Sequence, residues 1–301
     1  MREVSRFAPG IFVFLWSTGF IGVKYGIPYA PPFTFVALRM AIACAFLGFL
    51  TLVITRGFKM TKSGFWKSCV VGLALHGAYL AGCFYSLSKG VPAGVVSLIV
   101  CLQPVVVSSL AVIFLKEPLE RRKILGLLLG LVGVFLVISP RILTTTQSHI
   151  SWLSLAACVV ALFGGSLGTL AQKKFGSDVD VLAGVSVQYG ATALAIGALA
   201  FLFEEPRVEW SGQFILALLW LIIALSLGAI LLLFLLLKRS SAASVSSLYY
   251  LVPPVTSFLA FILFNEEISL LMGLGTAIAI SGVWLVTRQE KSPRGQSSRA
   301  F

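Results

Sequence analysis

The chain is poor in charged residues. Asp, Glu, Lys and Arg make up only 11% of its 301 residues, whereas 58% are hydrophobic and the mean hydropathy is +0.99. Soluble domains carry about 25% charged residues, so this chain has too few polar groups to cover a water-exposed surface. The composition excludes a single soluble core and predicts a protein whose solvent is the lipid bilayer.

Residues that build metal, disulfide and nucleotide sites are also scarce. The five cysteines lie inside apolar runs and none forms a C-x-x-C pair, so neither a zinc site nor a disulfide framework is indicated. We interpret them as small buried hydrophobic residues. No phosphate-binding loop occurs, which argues against ATP-driven transport by this chain alone. We therefore expect no cofactor and no metal.

The positive charge of the chain is divided among short clusters. The formal net charge is +12, and on a water-exposed face such a charge would suggest a nucleic-acid partner. Here Lys and Arg instead separate apolar runs, as they do in the cytoplasmic loops of membrane proteins. We expect no nucleic-acid partner.

Long apolar runs are what the sequence does have. Because a helix needs about 20 apolar residues to cross the hydrocarbon layer, the sequence predicts an all-α membrane protein. Ten spans are expected near 8–27, 33–55, 67–88, 92–115, 122–139, 152–173, 181–203, 213–237, 242–264 and 269–287. The first run is longer than a signal-peptide core and no small-x-small cleavage site follows it, so we interpret it as a span.

The distribution of Lys and Arg predicts the orientation. If the N-terminus is inside, 18 of these residues fall in inner segments. The outer segments hold only four, Lys24, Lys89, Arg141 and Arg207, and the remaining cation, Arg39, lies within the second span. Since cytoplasmic loops carry the excess of positive residues, both termini are predicted to be cytoplasmic.

The second half of the chain repeats the first. Residues 92–137 match residues 241–286 at an offset of 149 without a gap, and 17 of these 46 positions are identical. The offset places Pro104 on Pro253, Glu117 on Glu266, Gly126 on Gly275 and Gly133 on Gly282. A repeat of this length indicates two homologous halves.

Each predicted half has five spans, so the second must enter the membrane in the opposite orientation. The expected organisation is a cytoplasmic N-terminus at 1–7, one repeat at 8–139, an external linker at 140–151, a second repeat at 152–287 and a disordered cytoplasmic tail at 288–301. Inverted-topology repeats are typical of secondary transporters, whose substrate sites lie near the midplane between the halves.

Sequence motifs of both halves resemble those of the drug/metabolite transporter superfamily, in particular ten-span proteins with two EamA domains. They include LWSTGFIGVKYG from residue 15, ALRM from residue 37, SLIVCLQPVVVSSLAVIFLKEPL from residue 97 and SSLYYLVPPVTSFLAFILFNEEI from residue 246. The resemblance implies transport of small metabolites, often export of amino acids, including aromatic ones, across the bacterial inner membrane. In the second half, Gln188 stands at the position equivalent to Arg39.

The fourth and ninth spans carry polar residues and proline at the same spacing. The two sets are Ser97, Cys101, Pro104 and Ser108, and Ser246, Tyr250, Pro253 and Ser257. Their spacing of i, i+4, i+7 and i+11 places each set on one helical face. Pro104, Pro253 and Pro254 each remove a backbone donor. The pattern fits a packing kink or a hinge in a cavity wall, and we expect this face to line the pathway.

Two ionisable residues lie at membrane depth. His76 is adjacent to Tyr79 on the third span, and it could contact solute or a coupled proton, or only hydrogen-bond to a neighbouring helix. Arg39 lies two turns into the second span and must be paired, face a cavity or extend to the outer interface. Extension to the interface is the simplest interpretation, and an ion pair or gate is the alternative.

The candidate solute-binding residues combine aromatic and small polar side chains. They are Trp16, Phe20, His76, Tyr79, Ser97, Cys101, Gln103, Ser166, Ser246, Tyr249 and Tyr250, with Gln188 as a further polar candidate. Trp16, Phe20, Tyr79 and Tyr250 could supply a stacking surface for an apolar or aromatic solute.

The acidic residues are expected at the ends of spans. Glu117 is predicted to pair with Arg121 at i+4, and Glu266 is predicted at an outer gate. No Asp or Glu lies inside a predicted span, which favours facilitated diffusion or coupling through His76. Glycines on the fifth and tenth spans indicate close helix packing or a dimer contact.

Two alternatives to transport remain open at this point. Residues 164–168 fit G-x-S-x-G, so Ser166 with His76 as base could serve an intramembrane hydrolase, although that motif requires a strand-to-helix turn. A membrane scaffold without transport would explain the spans but not the mid-span prolines. The expected partners are a small-molecule solute and the bilayer of a bacterial inner membrane, with the chain a monomer or weak homodimer.

Overall fold

A computed structural model describes residues 4–91, 93–144, 151–176, 179–205, 207–264 and 269–288, and all regular structure within these ranges is helical. Ten of its helical spans are long and apolar enough to cross a membrane. In chain order they are Phe7–Tyr29, Pro32–Thr55, Lys62–Ser88, Val95–Phe114, Arg121–Pro140, Trp152–Phe175, Val181–Phe203, Gly212–Arg239, Ala242–Leu263 and Leu270–Thr287. The predicted all-α class with ten spans is confirmed.

The span boundaries follow from helix capping. Nine spans begin and end within three residues of the predicted bounds. The third begins at Lys62, five residues earlier than predicted, because Thr61 Oγ1 accepts a hydrogen bond from Gly64 N at 3.0 Å. The sixth to tenth spans are capped in the same way by Ser151, Asp180, Ser211, Ser241 and Ser269. Four helices extend beyond their spans: Val4–Gly26 and Ala93–Val100 begin earlier than the first and fourth spans, and Arg121–Thr144 and Val252–Phe264 end later than the fifth and ninth.

The first span ends in a 3₁₀ turn, Ile27–Tyr29, and four other spans are interrupted along their length. The third consists of Lys62–Gly72, a π-helical segment Leu73–Ala78 and Tyr79–Ser88, and the eighth of Gly212–Trp220, a π-helical segment Leu221–Ala229 and Ile230–Arg239. The fourth divides into Ala93–Val100 and Gln103–Phe114, and the ninth into Ala242–Ser247, a 3₁₀ turn Leu248–Leu251 and Val252–Phe264. Each kind of irregularity thus recurs at equivalent places in the two halves.

Side chains of the seventh span bind backbone carbonyls beside and within the π-helical segments. Thr192 Oγ1 donates to Gly72 O at 2.9 Å, and Tyr189 Oη donates to Ser226 O at 2.6 Å. A π-helical turn displaces carbonyls from the regular hydrogen-bond ladder, and in a bilayer such groups need protein partners. The seventh span therefore supports both irregular segments.

Proline explains the breaks in the fourth and ninth spans. Pro104 occupies the first turn of Gln103–Phe114, and Pro253 and Pro254 occupy the first turn of Val252–Phe264. Proline is favoured there because its missing N–H would be unpaired in any case. Consequently the prediction of one uninterrupted polar face on each span is wrong, since the helical register changes just before the proline.

The fifth and tenth spans pack closely through glycine. A Cβ on Gly133 would lie 2.4 Å from Ala279 N, and one on Gly282 would lie 2.5 Å from Gly130 N. Only hydrogen fits at these crossings, so the predicted small-residue faces are occupied within the chain. The second and seventh spans form the other extensive pair.

Contacts between segments distinguish the two ends of the bundle. At one end, Glu117 accepts from Ala242 N, and Lys173 donates to two carbonyls where the eighth span ends; we call this the basic end. At the other, Glu204 accepts from Phe33 N and Thr34 N, both at 2.7 Å; we call this the opposite end.

Candidate functional site

A central cavity lies between the middle of the bundle and the opposite end. Its volume, with the open space at its mouth, is about 620 Å³. The first, second, third and eighth spans line it through, among others, Trp16, Phe20, Arg39, His76, Tyr79, Cys83 and Phe84. Both π-helical segments contribute to its wall, through His76 and Leu225.

A second cavity of about 660 Å³ adjoins the first. It shares three wall residues, Trp16, Phe20 and Tyr79, with the central cavity and continues to Ser97, Cys101, Tyr249, Pro253 and Ser257. Of the two polar faces predicted for the fourth and ninth spans, the part before Pro104 and the part from Pro253 onward therefore reach open space. We call this space the side cavity.

Aromatic rings form the partition between the two cavities. The ring centroid of Trp16 lies 5.1 Å from that of Tyr249 and 6.3 Å from that of Tyr79. Phe12 supports Trp16 from behind at 5.3 Å. Edge-to-face and tilted pairs at these separations are favourable for aromatic rings. Of the four rings expected to form a stacking surface, Trp16, Phe20 and Tyr79 line both cavities and Tyr250 lines neither.

Arg39 is buried in the wall of the central cavity. Its side chain is only 4% exposed, and its Nε donates to Ser226 Oγ at 3.0 Å. Among the described residues, no carboxylate lies within ion-pair distance of it. The interpretation that Arg39 extends to the outer interface is wrong, because the guanidinium is held inward by the eighth span. No ion pair of Arg39 is seen in the described ranges either.

His76 belongs to a buried polar chain. Its Nε2 lies 3.3 Å from Gln188 Oε1, and Gln188 Nε2 donates to Gln172 Oε1 at 3.0 Å. Because an amide oxygen can only accept, His76 Nε2 carries the proton of the first bond. The Tyr189 ring packs edge-on against the imidazole at 4.8 Å. These hydrogen-bonded side chains lie between the central cavity and the basic end.

Four predicted binding residues are buried away from both cavities. Ser166 Oγ donates to Leu162 O at 2.7 Å, and Ser246 Oγ donates to Ala243 O at 3.2 Å. Gln103 Nε2 donates to Thr169 Oγ1 at 3.4 Å. Tyr250 fills the notch at Gly130, where a Cβ would lie 2.2 Å from its ring. These side chains pack helices together, so the structure does not bring them to the cavity wall.

The acidic residue Glu117 does not pair with Arg121. Its Oε2 instead accepts from Ala242 N at 2.9 Å, which caps the ninth span and joins it to the fourth. Lys173 Nζ donates to Leu237 O and Ser240 O, both at 2.6 Å, and so caps the eighth span from the sixth. Glu266, predicted as the outer gate, lies outside the described residues.

The sequence reading missed Ser226, Tyr189 and Lys173. Ser226 is the lone polar side chain in the apolar run 214–237, and that isolation was an available signal. Tyr189 directly follows Gln188, the counterpart of Arg39. The role of Lys173 depends on where another helix ends in space, and no local pattern shows that.

The setting of Ser166 differs from that of a hydrolase nucleophile. It lies inside the continuous helix Trp152–Phe175 and not at a strand-to-helix turn. Its hydroxyl bonds its own helix, and His76 bonds Gln188, so in the described residues no hydrogen bond joins Ser166 to His76.

The ten apolar helices of the described ranges, with an aromatic and polar cavity among them, define a multi-pass membrane protein with an internal cavity. The EamA-like transporter family model matches residues 10–139 and 151–288. The chain belongs to this transporter family, which confirms the resemblance noted in its motifs.

Relatives and a solved structure agree with this membership. The chain is 25% identical over 284 residues to the uncharacterized transporter YvbV of Bacillus subtilis, covering 94% of this chain and 91% of the relative. It is 23% identical over 176 residues to a probable amino-acid metabolite efflux pump of Salmonella typhimurium, covering 58% and 55%. One crystal structure superposes with a TM-score of 0.77 at 22% identity, covering 95% of this chain and 97% of that one, and so shows the same fold.

Proposed function

We propose that this protein is a secondary transporter that exports amino acids or related small metabolites across a bacterial inner membrane by alternating access. The central cavity carries the proposal. It lies between the middle of the bundle and the opposite end, and its wall combines aromatic rings with the polar groups of Arg39 and His76. Such a lining is typical of sites that bind small molecules.

The orientation of the two halves supports alternating access. Eighteen Lys and Arg residues against four favour cytoplasmic termini, and the basic end is then cytoplasmic. Five spans per half give opposite orientations to the two repeats. Rocking of such halves about a fixed site is the usual mechanism of inverted-repeat transporters. The breaks before Pro104 and Pro253 are the proposed hinges.

The contacts at the basic end support a state closed to the cytoplasm. Glu117 ties the fourth span to the ninth, and Lys173 ties the sixth to the eighth. The bond of Glu117 crosses between the halves, so it must break before the cavity opens on this side. The bonds of Lys173 stay within the second half. The efflux-pump name of one partial relative supports the direction and the amino-acid solute.

Solute counterflow in liposomes tests the function. Purified protein is expected to exchange radiolabelled amino acids or related metabolites faster than empty liposomes. Leu80→Trp fills the central cavity and should abolish exchange, whereas Leu128→Trp makes the same change at a side chain 53% exposed on the bundle surface and should not. If a broad metabolite panel shows no exchange, or if both variants behave alike, the proposal is wrong.

A further inference from the structure

We propose that Arg39 binds the carboxylate of the solute, and that the central cavity selects monocarboxylates with an apolar, preferably aromatic body and does not require an amino group. This inference rests on the proposed transport function for its biological meaning. As a statement about binding, it stands on the cavity alone.

Arg39 is a buried cation with no carboxylate partner among the described residues. Its side chain is 4% exposed, and Ser226 Oγ is its only hydrogen-bond partner among the described residues. A guanidinium has five N–H donors, and Ser226 takes one of them. Removing a charge from water without a partner of opposite sign is costly, so such a residue usually marks a ligand site in a membrane protein.

The geometry favours a planar anion. Ser226 holds Nε, and the side chain lines the open space. Arginine binds carboxylates through two parallel N–H donors. The serine thus fixes the plane of the guanidinium and leaves the outer donors for a ligand with two oxygens.

The charge of the cavity limits the charge of the ligand. Arg39 is the only Lys or Arg in its described wall, and no Asp or Glu lines it. One cation balances one negative charge, which fits a carboxylate better than a phosphate dianion. An ammonium group would meet no carboxylate here, and only the faces of aromatic rings would attract it.

The remainder of the wall fits an aromatic body. Trp16, Phe20, Tyr79 and Phe84 face the same space as Arg39. The imidazole of His76, which lines the same space, already donates Nε2 to Gln188. A solute that places its carboxylate at Arg39 therefore buries its apolar part against rings, which is favourable by the hydrophobic effect and by ring stacking.

Three probes that share a phenyl group and differ in their charged groups test whether the carboxylate or the ammonium is needed for binding. Phenylpropanoate has the carboxylate alone, phenylalanine adds the ammonium, and phenethylamine has the ammonium alone. Calorimetric titration of detergent-solubilised wild-type protein is expected to show that phenylpropanoate binds at least as tightly as phenylalanine, and that phenethylamine binds more weakly by about tenfold or more, as loss of a charge-assisted bond implies.

Substitutions of Arg39 test whether this residue causes the preference for carboxylates. Arg39→Gln should weaken phenylpropanoate about tenfold to a hundredfold and leave phenethylamine unchanged. Glutamine occupies the equivalent position 188, so the fold accommodates it there. Arg39→Lys should keep the preference for carboxylates at lower affinity. The matched control is Arg207→Gln, which removes an 88% exposed arginine paired with Glu205 and should change nothing.

The outcomes separate this inference from the transport function. Equal loss of phenylpropanoate and phenethylamine in Arg39→Gln, or no binding of either carboxylate by the wild type, would overturn the anion site. If Arg39→Gln does not fold, Arg39→Lys decides, because retention of full affinity would contradict paired recognition. Binding at Arg39 without counterflow in liposomes would refute transport and keep the site, whereas counterflow that ignores Arg39 would keep transport and refute the site.

Discussion

Arg39 and Gln188, which occupy equivalent positions 149 residues apart, each hydrogen-bond to a side chain in a π-helical segment. Arg39 on the second span bonds Ser226 on the eighth, and Gln188 on the seventh span bonds His76 on the third. Each bond joins the two halves of the chain. Arg39 brings a cation to the wall of the central cavity. The pair of His76 and Gln188 lies between this cavity and the basic end.

Ser226 is expected to position Arg39. Ser226→Ala removes the bond that orients the guanidinium, so the KM for the transported solute should rise about threefold to tenfold with kcat changed less. The rise is smaller than the full contribution of about 1.5–3 kcal/mol for a hydrogen bond to a charged group, because Ser226 acts on the solute only through Arg39. Counterflow kinetics measure both constants. Ser281→Ala, an exposed serine bonded only to its own helix, is the control. An unchanged KM would show that Arg39 needs no such support.

The chain from His76 to Gln172 is expected to stabilise the fold. Gln188→Leu leaves both the imidazole N–H and the Gln172 amide oxygen without their buried partner, and each unsatisfied group costs about 1–3 kcal/mol. The thermal midpoint in detergent should fall clearly. Gln188→Glu is a second test. It keeps two acceptor oxygens but adds a buried charge, so it should also lower the thermal midpoint. A variant as stable as wild type would contradict the hydrogen-bond assignment.

Glu117 is expected to hold the basic end closed. In a background whose single cysteine is Cys101, a wall residue of the side cavity, an impermeant maleimide should label from the opposite end and not from the basic end. Glu117→Leu should increase labelling from the basic end, because it removes the bond from Ala242 N that joins the fourth span to the ninth. Lys173→Met, which breaks bonds within the second half, should change the labelling less. A background whose single cysteine is Cys158, which is 0% exposed and lines neither cavity, serves as the unlabelled control.

The glycine crossing of the fifth and tenth spans is expected to tolerate no methyl group. Gly133→Ala places a Cβ 2.4 Å from the backbone nitrogen of Ala279, whereas Gly273→Ala on the same helix pair meets nothing within 4 Å. Overpacking of this kind costs about 1–3 kcal/mol or more when backbone must move. Thermal unfolding should separate the two variants, and equal stability would mean that the spans can part at no cost.

The sequence predicted the elements well because bilayer spans obey simple rules of length and hydropathy. It also indicated Trp16, Phe20, His76 and Tyr79, which line the central cavity, since polar and aromatic residues at membrane depth stand out against leucine and valine. It misplaced Tyr250 and Ser246, because regular helical spacing was extended through Leu248–Leu251, where the structure has a 3₁₀ turn. The partners of Arg39 and Lys173 come from other spans, so only the folded arrangement identifies them.

The bonds of Lys173 stay within one half of the chain. Its Nζ bonds the carbonyls of Leu237 and Ser240 and so joins the sixth span to the eighth, and both spans belong to the second repeat. Bonds of this kind need not break when the two halves move against each other. We therefore expect the sixth and eighth spans to move together as one body, with the bond from Ala242 N to Glu117 as the contact that forms and breaks.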